Sequence, residues 1–171
     1  MFKVQQYDFK NKKLNIWIFF SFNGLFAPHW RTDARGVIVG LTQYTKKEHI
    51  CRATLEAVAF QVYEILISME KDSGKVLQKL QVDGGMTKNE LLMQIQADFN
   101  GIEVVRPKFT ETTSMGAAMA AAKTVGLWSL DNLDDKGSKS FKPTMSAEVR
   151  NNKFQKWEKA ISRSLNWNNR Y

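Results

Sequence analysis

From residue 36 onward, short apolar runs alternate with longer stretches of helical periodicity. GVIVGL at 36–41 is a β-branched run bounded by glycines, which predicts a buried strand. A long helix is predicted next. Thr45 and Glu48 have capping-box spacing, Leu55, Val58, Val62, Ile65 and Met69 recur at three- and four-residue steps as a core face, and Gly74 supplies the stop. LQVD at 80–83 predicts a second strand, followed by Gly84 and Gly85 and a second capping-box spacing at Thr87 and Glu90. Leu92, Ile95 and Phe99 give the helix after it a buried face, and Asn100-Gly101 ends it. IEVV at 102–105 predicts a third strand, stopped by Pro107, which has no N–H to donate to a ladder. A third helix is predicted from about Thr113 to Val125, where Gly116 and the alanines of AAMAAA permit close backbone approach. Residues 129–146 read as a polar surface loop, and Phe154, Trp157, Ile161 and Leu165 mark a terminal amphipathic helix docked on the body. Strands alternating with helices predict a layered α/β domain, and no internal repeat is visible.

Composition narrows the class. At 171 residues, with 43% hydrophobic and 25% charged positions, the chain is long enough for one domain with a substantial core and unlike a disordered segment. The single cysteine, Cys51, has no partner for an intramolecular disulfide and lies in a helical stretch, so a reducing compartment and a packing role are expected. The net charge of +8 raises nucleic acid as a partner. The basic residues, however, are scattered among acidic and polar neighbours without aromatic interleaving, which predicts a solvated basic surface and no nucleic-acid partner. LNIWIFFSF at 14–22, behind a basic start, imitates a secretory signal. Asn15 interrupts it, no small-x-small site closes it, and it is too short to span a bilayer, so neither a signal peptide nor a transmembrane segment is expected.

Candidate chemistry concentrates in VDGGMTKNELLMQIQADF at 82–99, where paired glycines stand between a strand and a helix. Ligands meet α/β sheets at such strand ends. Glycines there remove the β-carbons that would keep a flat ring or a phosphate off the backbone, and they tolerate positive φ. Spacing alone supports a ligand turn and a plain tight turn equally. Neither GxGxxG nor GxxxxGK[ST] occurs there, so any nucleotide fold would be of another type. Asn89, on the first turn of the helix, is placed to reach a ligand or simply to face solvent. Asp33, Glu56, Asp83, Asp98 and Glu111 are available as general bases but form no convincing pair, and Glu56 suits a salt bridge. His29 and His49 lack the partners of a metal site, and Met86, Met93, Met115 and Met119 suit packing.

Taken together, GVIVGLTQYTKKEHICRATLE at 36–56, NGLFAPHW at 23–30, VDGGMTKNELLMQIQAD at 82–98 and VVRPKFTETTSMGAAMAA at 104–121 resemble the FGGY family of carbohydrate kinases, in particular its glycerol-phosphorylating members. Asn23 and His29 depart from the family's usual small and tyrosine residues. The resemblance covers residues 20–167, leaving 1–19 as a non-family extension and 168–171 as a tail. It implies an actin-like, ribonuclease H-like ATPase domain, the second of the family's two. By position the adenosine part of ATP would fall on Gly84 and Gly85, with Met86 adjacent and Asn89 reaching toward the nucleotide. The resemblance also implies ATP/ADP and Mg2+ as cofactors and glycerol as the substrate of the whole enzyme. A homo-oligomer and a cytoplasmic location are implied too, with the mitochondrial surface association of animal relatives. The phosphate loop, the polyol-binding residues and the catalytic aspartate belong to the family's first domain, which is not matched, so the chain alone is expected to be inactive.

Overall fold

A computed structural model of the chain describes residues 15–127 and 137–168. Among the described residues five short strands and four α-helices follow one another as β1 (Trp17–Phe19), β2 (Val37–Val39), α1 (Lys47–Ser73), β3 (Lys79–Gln81), α2 (Glu90–Asn100), β4 (Glu103–Arg106), α3 (Thr112–Thr124), β5 (Lys139–Phe141) and α4 (Ala147–Ser164). β1 and β2 form an antiparallel pair, with Ile18 opposite Ile38. β4 lies between β3, to which it is parallel, and β5, to which it is antiparallel; Leu80 and Phe141 both register with Val104. The parallel pair needs a crossover, and α2 provides it. Among the described residues no helix is long and apolar enough to cross a membrane.

The core is built where α1, α2, α4 and β1 meet. The Phe60 ring stacks on Phe99 at 4.1 Å and on Trp157 at 5.1 Å, and Phe19 meets Trp157 edge-on at 5.0 Å. Each of these rings is essentially sealed from water, so this aromatic group contributes strongly to the hydrophobic stabilisation of the fold. A second cluster joins Leu92, Met93 and Ala97 of α2 to Val104 and Phe141 of the sheet, flanked by Leu55 and Val58.

The expected face of α1 is displaced. Its buried stripe is Ala53, Glu56, Ala57, Phe60 and Glu64, whereas Ile65 and Met69 are exposed. The bulky residues drew the periodicity, but the close approach of α1 to β1 and α2 is made by alanines, with Leu55 and Val58 forming a half-buried flank. Glu56 is buried and ion-paired, accepting from Arg52 Nε at 2.9 Å and Lys153 Nζ at 3.2 Å. The start of α1 also differs: Lys46 N donates to His49 Nδ1, and Thr45 Oγ1 instead accepts from Thr42 N in the preceding turn. Gly74 ends the helix in the left-handed conformation, as expected. Cys51 is only half-buried.

Two strands were not anticipated. β1 falls within the apolar run at 14–22, so the packed body begins by Ile16, ahead of residue 20. Gly40 serves this contact: a β-carbon there would lie 1.8 Å from the Asn15 carbonyl oxygen. β5 falls in the stretch expected to be loop; in its three residues only Phe141 points into the core, which leaves no alternation to detect. The first part of that loop, 129–136, lies outside the described residues. α2, β4, α3 and α4 fall within a residue or two of expectation, yet α3 buries none of its residues and nothing lies within 4 Å of a β-carbon placed at Gly116. Among the described residues no backbone closes on the Gly116 position.

Candidate functional site

Parallel strands bring the carboxyl ends of β3 and β4 to one edge of the sheet, and the glycine turn leaves from that edge. Val82 N still donates to Val105 O at 3.0 Å, and Gly84 N then donates to Thr110 O at 2.9 Å, so the entry to the turn is tied to β4 and to the chain leaving it. Asp83 accepts from the Thr112 hydroxyl, linking the same turn to the start of α3. Gly84 has φ +85°, a conformation that side chains rarely adopt. Gly85 opens a single 3-10 turn, Gly85–Lys88, that precedes α2.

That turn replaces the capping box expected at Thr87 and Glu90. Thr87 is buried, and both its N–H (3.1 Å) and its hydroxyl (2.7 Å) are donated to Gly84 O. Asn89 is the residue that caps α2, its Oδ1 accepting from Leu92 N at 3.1 Å. The cap commits the oxygen of Asn89, so its amide nitrogen is what it can offer a ligand. Met86 is 57% exposed beside the turn and presents an apolar, polarisable surface. Gly84, Gly85, Met86 and Asn89 therefore occupy one short turn at a sheet edge. Among the described residues nothing lies within 4 Å of a β-carbon placed at Gly85, and its φ is outside the left-handed region.

Two residues at this site lack any warning in sequence patterning. Arg106, the last residue of β4, donates from Nη1 to Thr87 O at 2.7 Å, and its Nη2 lies 3.8 Å from Glu90 Oε1. Thr110 supplies the carbonyl that receives Gly84. The signal that could find Arg106 is topological: a residue ending the strand next to β3 must lie beside a turn leaving β3. Lys139 also pairs with Glu90, and its hydrogen bond, with the nearby charge of Arg106, holds the Glu90 carboxyl below its ordinary range.

The carboxylates and histidines considered earlier are spread over the molecule. Asp33 takes both guanidinium bonds of Arg31 and the Asn166 N–H, which hold it well below the usual carboxylate range. Asp98 accepts from Gln94, Thr144 and Met145. Glu111 stands at the start of α3 and makes no capping bond. His29 has an acidic neighbour after all: its Nε2 lies 2.9 Å from Glu64 Oε1, on a helix 35 residues away. Burial pushes the Glu64 carboxyl up, and His29 opposes the shift. Among the described residues no group of three or more His, Cys, Asp or Glu could hold a metal ion.

The profile of the FGGY family of carbohydrate kinases, C-terminal domain, matches residues 2–125. The chain is 51% identical over 152 residues to the glycerol kinase of Chloroflexus aurantiacus, covering 86% of this chain and 30% of that protein. It is 48% identical over 158 residues to the glycerol kinase of Acidiphilium cryptum, covering 90% of this chain and 31% of that one. The chain thus spans about a third of the length of these relatives. The crystal structure of Plasmodium falciparum glycerol kinase with ADP superposes with a TM-score of 0.78 at 40% identity, covering 88% of this chain and 31% of that one. Ligand-bound xylulose kinase from Lactobacillus acidophilus, at 23% identity, covers 88% of this chain and 30% of its own with a TM-score of 0.60, and shares the fold. The α/β architecture is that of the actin-like, ribonuclease H-like ATPases, as expected. The chain belongs to the FGGY family of carbohydrate kinases and carries that family's C-terminal domain.

Proposed function

We propose that this chain is the nucleotide-binding part of a glycerol kinase and that the Gly84–Gly85 turn receives the adenosine part of ATP or ADP. The observation that carries the reading is Gly85. Its conformation does not require glycine and, among the described residues, nothing lies within 4 Å of a β-carbon there, so beside the sheet-edge turn at Gly84 it leaves room for a flat ring to approach the backbone. Gly84 shapes the turn, Met86 offers a ring-sized apolar surface, and the Asn89 amide nitrogen can donate to the nucleotide. The whole enzyme would convert glycerol and MgATP to glycerol 3-phosphate and ADP. Mg2+ would accompany the nucleotide phosphates; among the described residues no group of three or more His, Cys, Asp or Glu could hold a metal ion. Phosphoryl transfer needs a positioned base and charges arranged around the γ-phosphate. Asp33, Glu56 and Asp98 are dispersed and committed to other partners, and Asp83 is tied to Thr112, so this segment alone is expected to transfer no phosphoryl group.

The family body is read as residues 20–167, widened at its start to include β1 and the earlier residues that the family profile matches. A cytoplasmic location and self-association belong to the same reading; the mitochondrial association drawn from animal relatives gains no support from the bacterial enzymes named above. Calorimetry with ADP provides the test. Wild-type chain is expected to bind and Gly85→Trp to lose binding while keeping its melting midpoint, because the indole enters open space. Equal binding by both proteins would overturn the site. A coupled ADP-release assay with glycerol should show no turnover; turnover by the segment would overturn its incompetence.

A further inference from the structure

Thr87 is buried, and its three hydrogen-bonding groups all act on the turn or on one side chain: the N–H and hydroxyl go to Gly84 O, and the carbonyl receives Arg106. The Arg106 side chain is itself only 17% exposed. Glu90 stands 3.8 Å from Nη2, and the Phe141 ring centre lies 5.7 Å from the guanidinium carbon. A planar guanidinium gripped on several sides has one geometry, and it stays charged at every pH at which proteins fold. We infer that Arg106 is a positioning residue for the nucleotide turn, fixing through Thr87 the orientation in which Gly84 and Gly85 present their backbone to adenosine. The inference rests on the nucleotide reading above. It adds a side chain that touches no ligand itself yet sets the geometry of those that do.

Arg106→Met keeps much of the stem and removes every donor; Arg106→Lys keeps the charge but not the fork. Calorimetry with ADP and with adenosine, beside a thermal melt of each variant, tests the role. Arg106→Met is expected to weaken ADP about tenfold, the weight of one charge-assisted hydrogen bond. It should weaken adenosine by the same factor, since the turn faces the nucleoside and not the phosphates. Arg106→Lys should recover part of the loss. A residue that only stabilised the fold would lower the melting midpoint and leave the affinity of the folded chain unchanged. Full ADP affinity in Arg106→Met, beside a wild type that binds, overturns the positioning role alone. A wild type that does not bind ADP overturns the nucleotide reading and this inference with it. If Arg106→Met does not melt cooperatively, Arg106→Lys serves in its place, with a loss of about threefold expected and undiminished affinity overturning the role.

Discussion

α2 and α3 look alike in sequence and behave differently in the fold. Each follows a strand and a turn, each is apolar through its middle, and they run Glu90–Asn100 and Thr112–Thr124. α2 buries Leu92, Met93, Ile95, Gln96, Ala97 and Phe99, while α3 buries nothing. Large side chains make the difference. Phe99 and Ile95 reach the aromatic core and Leu92 and Met93 reach the sheet, so α2 is held on two sides. α3 offers alanines and Gly116 and is tethered at its start, by Thr112 to Asp83 and by Thr110 O to Gly84 N. Alanine has the highest helix propensity, yet a helix of this length without packing is marginal in water. Amide exchange should therefore separate the two, with α2 protected to the level of global unfolding and α3 opening at much lower cost.

The sharpest way to test that contrast is to empty the core on the α2 side. Phe99→Ala removes the ring stacked 4.1 Å from Phe60 and leaves a cavity that alanines and aromatic neighbours cannot fill. A loss of about 3–5 kcal/mol is expected in denaturant melts, enough to unfold a marginal domain. A loss below about 1 kcal/mol would mean that the aromatic group is not the centre of the fold.

The contrast was only half legible in sequence, for a physical reason. Leu92, Ile95 and Phe99 announce a buried face because bulky residues at helical spacing have few places to go but inward. The alanines of α3 announce close packing, but nothing in one sequence says whether the facing backbone lies within the same chain. α1 shows the converse, since Ala53, Ala57 and Ala59 are buried there while Ile65 and Met69 are not. The glycine turn was legible because strand, turn and cap are local. What holds it was not: Arg106 and Thr87 are 19 residues apart, as His29 and Glu64 are 35, and such pairs are made by topology. β1 was hidden inside an apolar run that imitates a secretory signal, and β5 was hidden because only Phe141 of its three residues turns inward.

A smaller effect is expected on the polar side of α2. The Asp98 carboxylate receives Thr144 N at 2.6 Å and Met145 N at 3.3 Å, fastening the connection from β5 to α4. Asp98→Ala frees both N–H groups in a place water can reach, so the cost should be about 1.5 kcal/mol, the low end for bonds to a charged acceptor. Exchange of the amides at 144 and 145 should quicken before those of α4. An unchanged melt with unchanged exchange would show that α4 docks through Trp157 and Ile161 alone.

The smallest effect has the opposite sign and bears most directly on α3. A β-carbon at Gly116 meets nothing within 4 Å and the residue does not lie at positive φ, so Gly116→Ala should be accommodated without strain. Alanine is favoured over glycine in a helix interior by about 0.8 kcal/mol, chiefly because the unfolded chain loses freedom. α3 should therefore gain helicity and slow its amide exchange. If α3 opens independently, as its lack of burial implies, that gain stays local and the global melting midpoint hardly moves. A lowered midpoint would mean that the Gly116 face is packed within this chain, and the difference between α2 and α3 would vanish. A raised midpoint would mean that α3 unfolds together with α2, so that its tether to the glycine turn couples it to the core despite its exposed surface.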